Sequence, residues 1–128
     1  MLAIFLLSLA APLLTPPARA AEPAVDCSTT DLPQMDLNAC AYQSYQAADK
    51  DLNLVYGKLA AQNDAAGKAL LKKAENAWIA YRDSECAFEA DAFRGGSMAP
   101  MIEGGCLAVV TKARTATLSQ SLQDREPH

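Results

Sequence analysis

The sequence predicts an all-α protein, a small three-helix antiparallel bundle stapled by two disulfides. Two observations support this prediction. Apolar residues recur at helical spacing in three stretches of the chain, and the strict apolar–polar alternation of β-strands is absent. The chain also has four cysteines, an even number that is typical of small cross-linked exported domains.

The first residues of the chain have the pattern of a secretory signal peptide. An almost entirely apolar stretch leads to Ala18-Arg19-Ala20, which fits the small-x-small pattern of a signal-peptidase site. The stretch is too short to span a bilayer as a helix. We therefore expect a signal peptide at residues 1–20, cleavage near Ala20, and a mature protein that is periplasmic or secreted.

The composition is mildly acidic, with a formal net charge of −4. Loss of Arg19 with the signal peptide removes one positive charge and takes the net charge to −5. An acidic balance argues against binding of nucleic acid or anionic lipid and is compatible with a basic protein partner. No lipid anchor is expected on the mature form, because Asp26 rather than a small residue precedes Cys27.

The mature chain divides into an arm, a helical domain and a tail. Residues 21–35 contain two prolines and no sustained period, which predicts an irregular N-terminal arm. The first helix is predicted to begin at Asp36 or Asn38, either of which can cap it, and to end near Gln62. The three helices occupy residues 36–123, and residues 124–128 form a frayed tail.

The second helix holds the only tryptophan of the chain. Five of its apolar residues fall on one stripe at helical spacing and predict the face that packs inward. These residues are Leu71, Ala74, Trp78, Tyr81 and Phe88. We expect Trp78 and Tyr81, together with Leu52 of the first helix, to anchor the core, because truncation of a buried Trp typically costs roughly 3–5 kcal/mol.

The third helix is predicted to begin at Ser97 or Met98, after a pair of glycines that ends the second. Pro100 fits only in the first turn of a helix and supports this start. The pair Gly104-Gly105 has a poor helix propensity and leaves two alternatives open, a kink in the helix or a later start at Gly105.

The four cysteines can pair in two ways. Antiparallel helices that turn back near residues 64 and 95 bring Cys86 close to both Cys40 and Cys106. We favour Cys27–Cys40 with Cys86–Cys106 over Cys40–Cys86 with Cys27–Cys106, and sequence alone leaves both possible. In either case all four lie at one end of the bundle, and the absence of a C-x-x-C pair favours structural over redox cysteines.

The sequence offers few groups for catalysis. The only histidine is His128, the last residue, which argues against His-based triads and most zinc sites. The carboxylates Glu85, Glu89 and Asp91 lie close together, and such a group is more often a solvated helix face than a glycosidase pair. We expect no enzyme activity, no metal and no cofactor.

Two arginines allow alternative interpretations. In the first, Arg82 and Arg114 lay their stems along the bundle and pair with carboxylates, with Asp49 of the neighbouring helix as the partner of Arg82. In the second, they present a recognition surface. The first interpretation is favoured, because arginine stems commonly cover apolar surface.

Motifs spread along the chain match a known pattern. They are Met35-Asp36-Leu37-Asn38-Ala39-Cys40-Ala41, Ala48-Asp49, Leu52-Asn53, Tyr56, Leu59, Ala77-Trp78-Ile79-Ala80-Tyr81-Arg82-Asp83, Cys86, Gly95-Gly96-Ser97-Met98, Cys106-Leu107, Thr111, Arg114 and Leu118. Over roughly residues 27–122 the chain resembles the lysozyme-inhibitor LprI-type domain family, and its W-x-x-Y-R-D-x-x-C element is the most specific piece. The resemblance implies a secreted or periplasmic, disulfide-linked helical domain, with Arg82, Asp83 and Arg114 as motif charges.

The resemblance and the acidic charge together predict an exported, non-enzymatic protein-binding domain that inhibits a basic lysozyme. The alternative is a periplasmic adaptor or envelope-maintenance module without effect on lysozyme. Oligomeric state is left open. The candidate partner-binding residues are Glu85, Glu89, Asp91, Arg94 and Met98.

Overall fold

The computed structural model describes residues 25–125, which form three long helices and no strand. Helix α1 spans Gln34–Ala61, α2 spans Ala65–Asp91 and α3 spans Ala99–Gln123. Short connections make α2 antiparallel to both neighbours, so α1 and α3 run parallel. The predicted all-α three-helix bundle is confirmed. The predicted signal peptide, the start of the arm and the end of the tail lie outside the described residues.

The start of α1 differs from the prediction. Pro33 occupies the N-cap position in an extended conformation, and no side chain caps the helix. Asp36 lies instead in the first turn, where a carboxylate is favoured by the helix dipole. The Asn38 side chain donates a hydrogen bond to the Ser97 carbonyl at 3.0 Å. Asn38 therefore ties α1 to the segment before α3 rather than capping its own helix.

The start of α2 depends on a side-chain cap. Asp64 is the N-cap residue, and its Oδ1 accepts a hydrogen bond from the backbone N–H of Gly67 at 2.8 Å. Such a cap typically contributes about 1 kcal/mol. At the other end of α2 the chain turns through Gly95, whose φ of 78° lies in the left-handed region that glycine adopts readily.

Helix α3 continues without interruption through Gly104 and Gly105, so neither the kink nor the later start is observed. Pro100 lies in its first turn as predicted. Gly104 is buried against α1, and a Cβ atom there would lie 3.1 Å from the backbone carbon of Ala41 and from the backbone nitrogen of Tyr42. Glycine has a low helix propensity, but at this position its lack of a side chain permits close contact between α1 and α3.

The helices pack unequally. Helix α1 lies most closely against α3, α2 packs on α3, and α1 and α2 approach each other least. The centre of the core consists of Leu52, Leu59 and Leu118. Partly buried side chains surround this centre, namely Val55, Tyr56, Leu71, Trp78 and Leu122. Leu52 is thus placed in the core, whereas Trp78 lies at its edge.

The predicted inward face of α2 is wrong for two aromatic residues. Tyr81, expected to anchor the core, is 55% exposed, and Phe88 is 72% exposed. The buried positions of α2 are instead Glu75, Arg82, Cys86 and Ala90. The true face includes charged residues at inward positions, so a stripe chosen by hydrophobicity alone falls on a neighbouring side of the helix.

The disulfides join Cys27 to Cys40 and Cys86 to Cys106, which confirms the favoured pairing. The first bridge ties the segment before α1 to that helix. The second joins α2 to α3 near the connection between them, and both bridges lie at the same end of the bundle. No helix within residues 25–125 is long and apolar enough to cross a membrane.

Candidate functional site

A buried ion pair joins α2 to α3. The Arg114 side chain donates from Nε to Glu75 Oε2 at 3.0 Å, and its Nη2 lies 2.9 Å from the same oxygen. Both side chains are largely shielded from water. A charge in such a place is tolerated only while its partner is present, so each residue depends on the other.

Arg82 links α2 to α1. Its Nε and Nη2 each lie 2.8 Å from Asp83 Oδ1, and its Nη1 lies 3.7 Å from Asp49 Oδ1 on α1. The expected contact with Asp49 is present, but the shorter one is with the next residue in the chain. Arg82 itself is buried, which supports its interpretation as a packed arginine.

The indole of Trp78 lies beside both guanidinium groups. The Cζ atom of Arg82 is 5.2 Å and that of Arg114 is 5.8 Å from the indole centroid, and Arg82 Cζ is also 5.3 Å from the Tyr45 ring. These distances suit cation–π interactions. We call Tyr45, Glu75, Trp78, Arg82 and Arg114 the arginine–aromatic layer. It connects all three helices across the middle of the bundle.

The layer is better suited to structure than to catalysis. Burial raises the pKa of the Tyr45 hydroxyl above its ordinary value, while the nearby Arg82 charge acts in the opposite direction. Tyr45 is therefore neutral near pH 7 and supplies no base. Outside the layer, hydrogen bonds from the Ser28 hydroxyl and backbone lower the pKa of the exposed Asp26. Across residues 25–125 no group of three or more His, Cys, Asp or Glu side chains is placed to hold a metal ion.

Charge is distributed unevenly along the bundle. We call the end that carries both disulfides the acidic pole. Its acidic residues are Asp26, Asp31, Asp36, Asp83, Glu85, Glu89, Asp91 and Glu103. We call the opposite end the basic pole. Its basic residues are Lys58, Lys68, Lys72, Lys73 and Arg125, and they outnumber the carboxylates of this end, Asp64 and Asp124. The molecule therefore presents surfaces of opposite sign at its two ends.

The structure places all five candidate partner-binding residues at the acidic pole, around the α2–α3 connection. Glu89, Asp91, Arg94 and Met98 are exposed, and Glu85 is half-buried. Arg94 Nε donates to Asp91 Oδ1 at 2.7 Å, so these two charges are paired with each other. The exposed apolar side chains at this connection are Phe93 and Met98.

Sequence reasoning missed Glu75 and the contact of Tyr45 with Arg82. A signal for Glu75 was present, because it precedes Arg82 by seven residues, or two helical turns, and Arg82 had already been assigned to the bundle. Tyr45 precedes the buried Ala48 by three residues, which places both on one face of α1. Neither signal is visible to a search for apolar stripes.

Comparison with known proteins agrees with this architecture. The family model described as lysozyme inhibitor LprI matches residues 25–118. An uncharacterized protein of Rhizobium meliloti (strain 1021) is 43% identical over 125 residues, covering 88% of this chain and 89% of the relative. No solved structure matches significantly. The chain belongs to the LprI lysozyme inhibitor family.

Proposed function

We propose that this protein is exported and inhibits a lysozyme-type muramidase by binding it, without catalysing a reaction. Family membership supports a protein-binding domain of this kind. The observation that carries the proposal is the acidic pole, where carboxylates surround exposed apolar side chains. Lysozymes of the strongly basic type are the partners that such a surface attracts.

The carboxylates of the acidic pole serve mainly to guide the encounter. Long-range attraction between opposite charges raises association rates and falls as salt screens it, with a Debye length of about 8 Å at physiological ionic strength. Glu89, Asp91 and Glu103 are exposed and form the rim of the contact. Rim charges change the association rate more than the dissociation rate.

The α2–α3 connection supplies the centre of the contact. Phe93 is 41% exposed and Met98 is 39% exposed, and both belong to this connection. Aromatic side chains dominate the binding energy of many interfaces, and Met adapts to irregular surfaces. Inhibition follows if the connection, residues 92–98, occupies the substrate cleft of the muramidase.

The second disulfide holds this connection in place. Cys86 lies near the end of α2 and Cys106 near the start of α3, so their bridge fixes the two helix ends that carry residues 92–98. A segment held in its binding conformation before association loses less entropy on binding. The disulfide thus contributes to affinity through preorganisation.

The test is a lysis assay. Purified mature protein is added in stoichiometric excess to a basic lysozyme acting on a peptidoglycan suspension at low salt, and we expect slower lysis that recovers as salt is added. Phe93→Asp and Glu89→Lys should each weaken inhibition. Asp51→Lys, which makes the same charge change as Glu89→Lys on an exposed position of α1, is the matched control.

Unchanged lysis at low salt and excess protein would remove this proposal. In that case in situ crosslinking of the native envelope tests the alternative of an adaptor module, because it identifies a partner other than lysozyme. Export is tested separately by mass spectrometry of the periplasmic fraction, which should give a mature chain that begins at Ala21.

A further inference from the structure

An apolar stripe runs along the outer side of α2. Its members recur at helical spacing and are three large side chains and two alanines, namely Leu70, Ala74, Ala77, Tyr81 and Phe88. Leu70 is 69% exposed, and Tyr81 and Phe88 are also open to solvent. Exposed apolar residues that share one helix face typically mark an interaction surface.

The stripe continues onto α3. Val109 is 67% exposed, and a groove of about 320 Å³ between the two helices is lined by Tyr81, Val109, Ala113 and Thr117 among others. The apolar surface is therefore a face formed by two helices. We call it the α2/α3 face.

Solvent-accessible charges of α2 change sign near the middle of the helix. The first half of α2 carries Lys68, Lys72 and Lys73, and the second half carries Asp83, Glu85, Glu89 and Asp91. A parallel copy of α2 would place lysines against lysines and carboxylates against carboxylates. An antiparallel copy would bring lysines against carboxylates.

We propose that the α2/α3 face binds a second copy of this chain, with the two α2 helices antiparallel about a two-fold axis near Tyr81. Phe88 and Ala74 lie seven residues on either side of Tyr81. The axis therefore brings Phe88 of each copy level with Ala74 of the other. A large side chain then faces a small one on each side of the axis, and this part of the stripe is complementary to itself.

The same axis pairs charges at the edge of the stripe. Lys73 and Asp91 are eighteen residues apart, which is five helical turns, so they share one edge of α2. In the antiparallel arrangement this edge meets its own counterpart. Lys73 of one copy then lies within about 3 Å, along the helix axis, of the level of Asp91 of the second copy.

The size of the face fits a reversible dimer. From Leu70 to Phe88 the stripe is about 27 Å long, and two helices packed side by side are about 20 Å wide. The interface would bury about 1,100 Å² over both copies, just above the roughly 1,000 Å² expected of a specific contact. Residues 92–98 lie beyond the end of the stripe, whereas Asp91 belongs both to the edge of the dimer face and to the rim of the proposed lysozyme contact, so the two proposals are tested by separate measurements.

The experiment is sedimentation equilibrium of the mature protein at low salt over about a hundredfold range of concentration. We expect the average mass to rise from that of a monomer towards twice that value. Added salt should weaken the antiparallel dimer, since it screens attraction between unlike charges. A monomer mass at every concentration would overturn the proposal, and a dimer that salt strengthens would overturn its antiparallel geometry.

Variants locate the interface. Phe88→Glu and Tyr81→Glu change exposed residues, and circular dichroism verifies that the helices are retained. Each should raise the dimer dissociation constant by at least about tenfold, the effect typical of an interface residue of this type. Leu54→Glu is the matched control, because Leu54 is exposed on α1. A Phe88→Glu variant that dimerises like the unaltered protein contradicts the assignment.

A charge exchange tests the orientation. Lys73→Glu should weaken the dimer, and Lys73→Glu combined with Asp91→Lys should restore it, since each interface would again pair unlike charges. Absence of rescue would overturn the antiparallel arrangement. None of these measurements depends on lysozyme, so failure of the dimer and failure of inhibition are recognised separately.

Discussion

The guanidinium of Arg114 lies 2.9 Å from the carboxylate of Glu75 where α3 faces α2. Because this pair is shielded from water, we expect Glu75→Gln to lower the free energy of unfolding by roughly 3 kcal/mol, since it leaves Arg114 charged and without a partner. Urea unfolding followed by circular dichroism measures this change. Arg94→Gln, which breaks the exposed pair with Asp91, is the control and should cost less than about 1 kcal/mol.

Gly104 and Gly105 should respond in opposite ways to alanine. Gly104→Ala places a methyl group against the α1 backbone and should destabilise the protein by about 1–3 kcal/mol. Gly105 has no atom within 4 Å of the same added group. Gly105→Ala should therefore stabilise the protein by up to about 1 kcal/mol through helix propensity. Thermal unfolding of both variants tests this contrast, and equal effects would contradict the close contact at Gly104.

Removal of the Thr111 hydroxyl should stabilise the protein. Its side chain is 0% exposed, and among the described residues Oγ1 has no hydrogen-bond partner. Burial of an unpaired hydroxyl costs about 1–3 kcal/mol, so Thr111→Val should raise the free energy of unfolding. Thr115→Val is the comparison, because Thr115 Oγ1 donates to the Thr111 carbonyl at 3.0 Å and its loss should bring no gain. A destabilised Thr111→Val variant would indicate that the hydroxyl is satisfied.

The disulfide between Cys86 and Cys106 should contribute about 3 kcal/mol, because it closes a loop of moderate length in the unfolded chain. Replacement of both cysteines by alanine should lower the unfolding midpoint in urea accordingly.

The two disulfides should differ in their ease of reduction. In the unaltered protein, Cys27 is exposed and Cys86 is buried. Mild reduction followed by alkylation and mass spectrometry should therefore label Cys27 and Cys40 first. Earlier labelling of Cys86 would contradict this order.

The raised pKa of Tyr45 leads us to expect a loss of folding stability at alkaline pH. Burial raises the pKa of its hydroxyl in the folded protein. The contribution of Tyr45 to the free energy of unfolding is therefore fully present below the unfolded tyrosine pKa of about 10. It decreases as the pH rises from there through the pKa in the folded protein. Tyr45→Phe should reduce the fall in unfolding free energy over this range. Tyr42→Phe, at an exposed position of the same helix, should keep the original dependence.

Much of the fold could be predicted because helical periodicity and turn residues act locally. Pro100 marks the start of α3, and the turning points between helices were sufficient to favour the disulfide pairing that is observed. The inward face of α2 could not be predicted in this way. Glu75 occupies an inward position because it finds its partner, Arg114, on another helix, and a partner that is distant in sequence leaves no local pattern.

The candidate site was likewise predictable only where its residues are neighbours in the chain. The acidic residues from Glu85 to Asp91 were recognisable as a group because they are neighbours in the chain. The arginine–aromatic layer was only partly recognised, because Tyr45, Trp78 and Arg114 come from three different helices. The role of Gly104 was also hidden, since poor helix propensity conceals a benefit that exists only when α1 lies against α3.

The separation of the acidic and basic poles gives the molecule a permanent electric dipole moment along its long axis. A charged layer exerts a torque on such a charge distribution and biases its angle of approach. Against a polyanionic layer it would stand upright, with its lysines inward and the connection between α2 and α3 facing away.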